Sequence, residues 1–242
     1  MPDFLEITAL SKSFGGVAAN VGISFSVREG EILGLIGPNG AGKTSLFNSI
    51  SGEIAPDAGE IRLAGEKISG RGPGAAVRAG IARTFQVVRS FESMTVLENV
   101  MVGAFLHTRR PRAAAQAARA VIDFAGLADL ADAPAATLTP PAKRRLEIAR
   151  ALATRPRLLL LDETLTGLTP TEARAGVELI RTVRARGITV IMVEHVMEIL
   201  LPLIDRAVVL HLGRVLTIGT PAEVVRDPAT IRAYLGERYA PA

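Results

Sequence analysis

The eight residues Gly37-Pro38-Asn39-Gly40-Ala41-Gly42-Lys43-Thr44 have the composition of a phosphate-binding loop and fit G-x-x-x-x-G-K-[ST] without a gap. Glycines let the backbone curl tightly enough for successive N–H groups to point inward at phosphate oxygens. A helix beginning at Lys43 adds the positive end of its dipole. In such a loop Lys43 reaches the β- and γ-phosphates, and the Thr44 hydroxyl reaches Mg²⁺. With Ser45 directly following, Gly37 to Ser45 is the candidate nucleotide cradle. A second candidate is Leu158-Leu159-Leu160-Leu161-Asp162-Glu163, an apolar run that ends in two acids. By itself this is what a strand meeting solvent looks like. Downstream of a phosphate loop, Asp162 is placed as a further Mg²⁺ contact. Glu163 is placed to polarise an attacking water as general base.

These segments need elements to position them. Phe4–Leu10 and Ile23–Val27 read as half-buried strands, the second through the alternation Ile23, Phe25, Val27. Glu31–Ile36 reads as a buried strand feeding the Gly-rich loop, and Pro56-Asp57-Ala58-Gly59 as a turn before a short strand Glu60–Leu63. Thr95-Val96-Leu97-Glu98 and Thr169-Pro170-Thr171-Glu172 are capping boxes, and Thr220-Pro221-Ala222-Glu223 is a third. Ala113–Ala125 is alanine-rich and predicts helix. The prolines of Pro134–Pro141 bar a helix from continuing through them. A helix from about Pro141 to Thr154 is expected to place Leu146, Ala149 and Leu152 on one face. Leu158–Leu161 and Ile188–Val193 read as buried strands, and Arg206–Leu210 with Arg214–Thr217 as a hairpin around His211-Leu212-Gly213. Strands separated by helices imply a mainly parallel sheet covered on both faces. The expected fold is therefore α/β, a P-loop NTPase core with an N-terminal antiparallel β edge and an inserted helical subdomain. One domain spans residues 1–242, with the helical subdomain at about 88–156 and a C-terminal tail at about 219–242.

Bulk properties limit the alternatives. The 242 residues suffice for one large domain, and 48% of them are apolar against 21% charged, as in a globular chain. The absence of cysteine excludes disulfides, Cys-ligated metals and Cys nucleophiles, and suits a reducing cytosol. The N-terminus carries Asp3 and Glu6 and no basic run, unlike a signal peptide. No apolar run approaches the roughly 20 residues needed to span a bilayer, so a membrane role is expected to come through a partner. The net charge of +4 is scattered, with Arg109, Arg110 and Arg112 the densest group outside the predicted helices. No interleaving of aromatic with basic residues points to nucleic acid.

Taken together, the segments resemble the ATPase subunits of ABC transporters over almost the whole chain, most closely those serving branched-chain amino-acid or related amide and urea uptake. Gly37–Thr44 resembles the Walker A loop, and Leu158–Asp162 the Walker B strand with Glu163 as catalytic base. Gln86, in Ala82-Arg83-Thr84-Phe85-Gln86, matches the glutamine that in the family touches Mg²⁺ and the water and reports to the membrane subunit. His195, in Val193-Glu194-His195, matches the switch histidine that contacts the γ-phosphate, and Phe14 sits where an aromatic stacks on adenine. Gly80–Gln86 running on to Met94–Val100, and Ala233-Tyr234-Leu235-Gly236, are close to the branched-chain type. The resemblance implies ATP and Mg²⁺ as ligands, with Thr44, Gln86 and Asp162 at the metal. It also implies transmembrane permease subunits and a second ATPase subunit as partners, a solute-binding protein indirectly, and a place at the cytoplasmic face of the cell membrane.

Two departures stand out. The family signature, Leu-Ser-Gly-Gly-Gln or a near variant, is Leu138-Thr139-Pro140-Pro141-Ala142, although Arg144–Arg150 after it is intact. Thr164 stands where the family usually has proline, and Thr169 where it has Asp or Asn. The signature presents N–H groups to ATP held by the opposite subunit, and proline has none. The expectation is an asymmetric pair, in which this chain's own site is complete and a different partner chain supplies an intact signature. An alternative is a regulatory nucleotide-binding subunit with little catalysis. A DNA-repair or ribosome-acting cassette is a further class, but the long coiled coil or second cassette it requires is missing.

Overall fold

Five consecutive buried residues, Ile32-Leu33-Gly34-Leu35-Ile36, leave a strand no solvent-facing side. Only the interior of a sheet covered on both faces accommodates this. The computed structural model describes residues 3–86 and 89–235 and places the strand in such an interior. In chain order the elements begin with β1 (Asp3–Phe14), β2 (Val17–Arg28), β3 (Ile32–Ile36), α1 (Lys43–Ile50), β4 (Ala58–Leu63), β5 (Glu66–Lys67), α2 (Pro73–Arg78) and β6 (Ile81–Arg83). The helices α3 (Val96–Ala104), α4 (Pro111–Phe124) and α5 (Pro140–Ala153) follow. The chain returns through β7 (Leu158–Asp162), α6 (Pro170–Ala185), β8 (Thr189–Val193), α7 (Met197–Leu200), β9 (Arg206–His211), β10 (Arg214–Gly219), α8 (Pro221–Val224) and α9 (Pro228–Leu235). Gly236 and the rest of the expected tail lie outside the described residues.

The strands form a six-stranded sheet in the order β10-β9-β3-β8-β7-β6 and a four-stranded sheet β2-β1-β4-β5. All pairings of the larger sheet are parallel except β9 with β10. The early antiparallel strands thus make a sheet of their own. Alternate side chains of each parallel strand go to opposite faces. Leu33 and Leu35 of β3, Leu158 and Leu160 of β7, and Ile191 and Val193 of β8 pack with Leu46, Phe47 and the antiparallel sheet. Ile32, Ile36, Leu159, Leu161, Val190 and Met192 pack with Ile180 and Val183 of α6.

The three capping boxes form as expected: Thr95, Thr169 and Thr220 each accept from the N–H three residues on, and Glu98, Glu172 and Glu223 each accept in return. Other local readings are corrected. β1 and β2 run longer than their apolar alternation, because hairpin pairing around Gly15 and Gly16 extends the ladder to Phe14↔Val17. Arg112 lies inside α4, whose first helical residue is Pro111. A 3-10 turn at Ala135–Thr137 interrupts the proline stretch, and α5 starts at Pro140. Leu146 and Ala149 join the core of α3 and α4, but Leu152 turns with Ile148 and Ala151 to the large sheet. α5 is wedged between the helical region and the sheet, so it buries two stripes where the sequence suggested one.

That wedge sets a tight crossing. A Cβ at Gly103 of α3 would sit 2.5 Å from the Arg150 carbonyl oxygen and 3.0 Å from Ala153 Cβ. Gly to Ala in a helix interior ordinarily gains about 1 kcal/mol, but overpacking costs about 1–3 kcal/mol. Gly103→Ala is expected to lower the urea midpoint; an unchanged or raised midpoint contradicts this packing.

Candidate nucleotide site

Parallel pairing brings the carboxyl ends of β3, β8, β7 and β6 side by side in that order. In open α/β sheets ligands bind at these ends. β3 runs into Gly37, β7 ends on Asp162, β8 leads through Glu194 to His195, and β6 leads through Thr84 and Phe85 to Gln86. A cavity of about 530 Å³ opens there, lined by Asn39 to Ser45, Gln86, Asp162, Glu163 and His195, with Val17, Ala18, Ala19 and Val193.

The loop requires its glycines. Gly42 has φ +99°, and a Cβ on it would lie 2.3 Å from the Ala19 carbonyl oxygen. At Gly37 a Cβ would lie 2.4 Å from the Leu210 carbonyl oxygen. Asn20, buried on β2, donates from Nδ2 to the Gly42 oxygen at 3.1 Å and ties the antiparallel sheet to the loop. Lys43 Nζ donates to the carbonyls of Gly37 at 2.6 Å and Pro38 at 3.0 Å, inside the loop where phosphates are expected. Burial holds the Lys43 pKa below its ordinary value, while Glu163 and Asp162 pull it back up.

The acids face that ammonium. Burial raises the Asp162 pKa, and the Arg83 guanidinium 3.1 Å away counteracts it. Glu163 has φ +50°, a conformation side chains other than glycine rarely take. Its N–H is fixed by donating to the Val193 carbonyl at 2.9 Å. Both carboxylate oxygens are engaged: Oε1 with His195 Nε2 at 2.6 Å, and Oε2 with the Gln86 amide Nε2 at 3.0 Å. A carboxylate only accepts, so His195 Nε2 carries the proton in this pair.

A second ring of residues holds these in place, and the sequence reading assigned them no role. Thr84 Oγ1 accepts from the Asp162 N–H at 3.2 Å and meets Thr164 Oγ1 at 3.3 Å, so Thr164 is used where the family has proline. Buried Glu194 accepts from the Leu165 N–H at 2.6 Å and the Thr166 hydroxyl at 3.0 Å, linking the segment before His195 to the segment after Glu163. Glu147 of α5 accepts from the Phe85 N–H at 3.1 Å. Burial raises the pKa of both glutamates. The available signal was a charged residue inside an apolar run, as at Arg83 and Glu194.

Gly37 and Pro38 shape the loop without lining the cavity. Phe14 also lies outside the lining, 46% exposed at the end of β1, with Lys12 Nζ 5.6 Å from its ring centre; its hairpin partner Val17 lines the cavity instead. The Thr44 hydroxyl, the Asp162 carboxylate and the Gln86 amide are hard oxygen donors suited to Mg²⁺. Among the described residues no cluster of three His, Cys, Asp or Glu side chains could hold a metal alone.

At the altered signature Thr139 caps α5 without a side-chain bond, and Pro140 and Pro141 occupy the first two helical positions. Lys143 N–H already bonds the Thr139 carbonyl. Of the four N–H groups a helix start normally leaves free, those of Thr139 and Ala142 remain, and the two prolines have none.

A family profile described as ABC transporter matches residues 21–166. A second, described as branched-chain amino acid ATP-binding cassette transporter, matches residues 214–240. The chain is 39% identical to the high-affinity branched-chain amino acid transport ATP-binding protein BraF of Pseudomonas aeruginosa, across 96% of this chain and 98% of that one. It is equally similar, at 39% with the same coverage, to LivG of Salmonella typhimurium, which bears the same description. A solved nucleotide-free ATP-binding cassette of an ABC transporter superposes with a TM-score of 0.89 at 30% identity, over 98% of this chain and 100% of that chain. These relatives are described as transport ATP-binding proteins over nearly their full length, which leaves the regulatory subunit with little catalysis unsupported.

Glu194 yields a signed pH dependence. Its folded pKa lies above the unfolded value, so the native chain binds more protons and stability falls as pH rises from about 4.5 through the raised value. Glu194→Gln removes that loss. Its stability relative to the parent chain, measured by urea denaturation, is expected to improve from pH 5 to pH 8; a constant difference contradicts burial of an ionising Glu194.

Proposed function

Because the chain belongs to the ABC transporter family of ATP-binding proteins, we propose that it binds MgATP in the cavity at Lys43 and hydrolyses it to drive solute uptake. The observation that carries this reading is Glu163, held between Gln86 and His195 beside the phosphate loop. The loop N–H groups and Lys43 receive the β- and γ-phosphates, and Lys43 exchanges its two carbonyl partners for phosphate oxygens. Thr44, Asp162 and Gln86 would hold Mg²⁺ with the nucleotide, and the ion would supply positive charge against those phosphates. For Glu163 to act as base, one carboxylate oxygen has to be released. Rotation of the Gln86 side chain would release Oε2, and its amide oxygen is among the groups that would hold Mg²⁺. Water then attacks the γ-phosphorus, its proton passes to Glu163, and the bond to the leaving ADP oxygen breaks. His195, which lines the cavity, keeps the other oxygen fixed, and a contact with the γ-phosphate would take the same Nε2 proton away from Glu163. Adenine is received at the rim formed by Val17 and Phe14.

The cargo we assign is a branched-chain amino acid or a related small solute, on the strength of the matched C-terminal segment and the full-length similarity to BraF and LivG. No helix among the described residues is long and apolar enough to cross a membrane. By its similarity to the transport ATP-binding proteins BraF and LivG, we assign the chain permease subunits that hold it at the cytoplasmic face and a solute-binding protein that delivers cargo to them. Exposed Val102 and Leu106 line one groove with Phe85, next to Gln86, and offer the permease an apolar seat. The second cassette is a different chain, because Pro140 and Pro141 remove N–H donors that the opposite ATP requires. A charge-assisted hydrogen bond contributes about 1.5–3 kcal/mol, so one or two losses slow that site by roughly ten-fold to ten-thousand-fold.

The test is steady-state MgATP hydrolysis by the purified chain at high concentration, beside Glu163→Gln. Nucleotide binding with negligible turnover is expected for the chain alone, and turnover after addition of a cassette with an intact signature. Loss of the base in Glu163→Gln is expected to lower that turnover about 10²- to 10⁴-fold. Full turnover by the chain alone, lost in Glu163→Gln, rules out the need for a different partner. No turnover in either setting rules out hydrolysis at this site.

A further inference from the structure

We propose that Arg83 is a positioning residue that keys together the three elements bearing the Mg²⁺ ligands, so that its loss weakens the metal dependence of nucleotide binding rather than nucleotide binding itself. The inference rests on the MgATP reading above. Arg83 is the last residue of β6, three residues before Gln86. Its Nη2 donates to Asp162 Oδ2 at 3.1 Å, with both side chains only 8% exposed. Its Nη1 donates to Asn48 Oδ1 at 2.5 Å and reaches Ser51 Oγ at 3.4 Å. Asn48 lies four residues after Thr44 on α1, on the same helix face. One guanidinium thus contacts the helix of Thr44, the strand end of Asp162 and the strand that leads to Gln86.

The group is locked from every side. Its Nε donates to the Thr84 carbonyl at 3.3 Å, and Glu53 Oε1 is 3.4 Å from Nη1. The guanidinium carbon lies 5.0 Å from the Phe85 ring centre and 5.9 Å from that of Phe47. A buried guanidinium is costly unless its donors are satisfied, and here they go to Asn48 and Ser51 of α1 and its C-cap, to Asp162 at the end of β7 and to the neighbouring Thr84 carbonyl. Engaging Asp162 through Oδ2 leaves Oδ1, which makes no hydrogen bond among the described residues, on a side chain that lines the cavity. Lysine keeps the charge but lacks the planar fork that serves Asn48 and Asp162 together. Methionine keeps an apolar stem between the two rings and loses every donor.

The experiment is equilibrium binding of a fluorescent ATP analogue to the full chain, first in EDTA and then as a titration of free Mg²⁺, with thermal melting as a check on folding. For Arg83→Met, affinity in EDTA is expected within about two-fold of the parent, while the Mg²⁺ midpoint rises about ten-fold or more. Arg83→Lys should fall between the two. Asn48→Ala, which removes one arm only, should shift the midpoint the same way by a smaller factor, and these two variants carry the test if Arg83→Met does not fold. An unchanged Mg²⁺ midpoint in the folded Arg83 variants overturns the proposal. So does an equal loss of affinity with and without Mg²⁺, which marks Arg83 as a support of the fold alone. A parent chain that binds no nucleotide, or binds it without regard to Mg²⁺, overturns the MgATP reading itself. A parent with normal Mg²⁺ dependence and insensitive variants overturns only the role of Arg83.

Discussion

Parallel pairing of β3 with β8, β8 with β7, and β7 with β6 carries four distant chain segments to one edge of the large sheet. Each strand is fully or largely buried, so register is set by which residues face each core. A slip of one residue in any of them would exchange the two faces. It would also move Asp162 or the residues that follow the strands away from the phosphate loop. The two hydrophobic layers that bracket the sheet therefore fix the chemistry as firmly as the polar contacts do.

On that edge the protein gathers charges that burial disfavours. Lys43 is held toward its neutral form, and Asp162, Glu147 and Glu194 toward theirs, each mainly by burial. Each is kept in place by specific donors or acceptors: loop carbonyls for Lys43, Arg83 for Asp162, and backbone N–H groups for the two glutamates. A phosphate entering this site meets groups that are already desolvated and oriented, and interactions are stronger there than in water. The pairing of Glu163 with Gln86 and His195 leaves both of its carboxylate oxygens engaged.

The altered signature separates fold from function within one helix. Proline suits the first helical positions, where its missing N–H belongs to no intrahelical bond, and α5 packs both its stripes normally. The same missing N–H groups are those a phosphate facing the helix end would use. The prolines therefore fit the helix while leaving fewer N–H donors at its end for an anion. Thr164 behaves differently: it fills its place with a hydroxyl contact to Thr84 that helps hold the Asp162 backbone.

The sequence by itself determined whatever depends on neighbours along the chain. The loop Gly37–Thr44, the acid pair Asp162 and Glu163, three capping boxes and the buried strands were legible because local backbone geometry and periodicity dictate them. Gln86 and His195 were legible only through family resemblance, since a lone glutamine or histidine has no local signature. Tertiary structure alone decided which side chains meet across long separations. Arg83 reaches Asp162 across 79 positions, Glu147 reaches Phe85 across 62, and Glu194 reaches Leu165 across 29. It also decided that Leu152 leaves the stripe of Leu146, and that Phe14 stands outside the cavity its partner Val17 lines. The physical reason is that such contacts depend on strand order, register and helix wedging, which arise from burial summed over the whole chain and are not encoded at any single position.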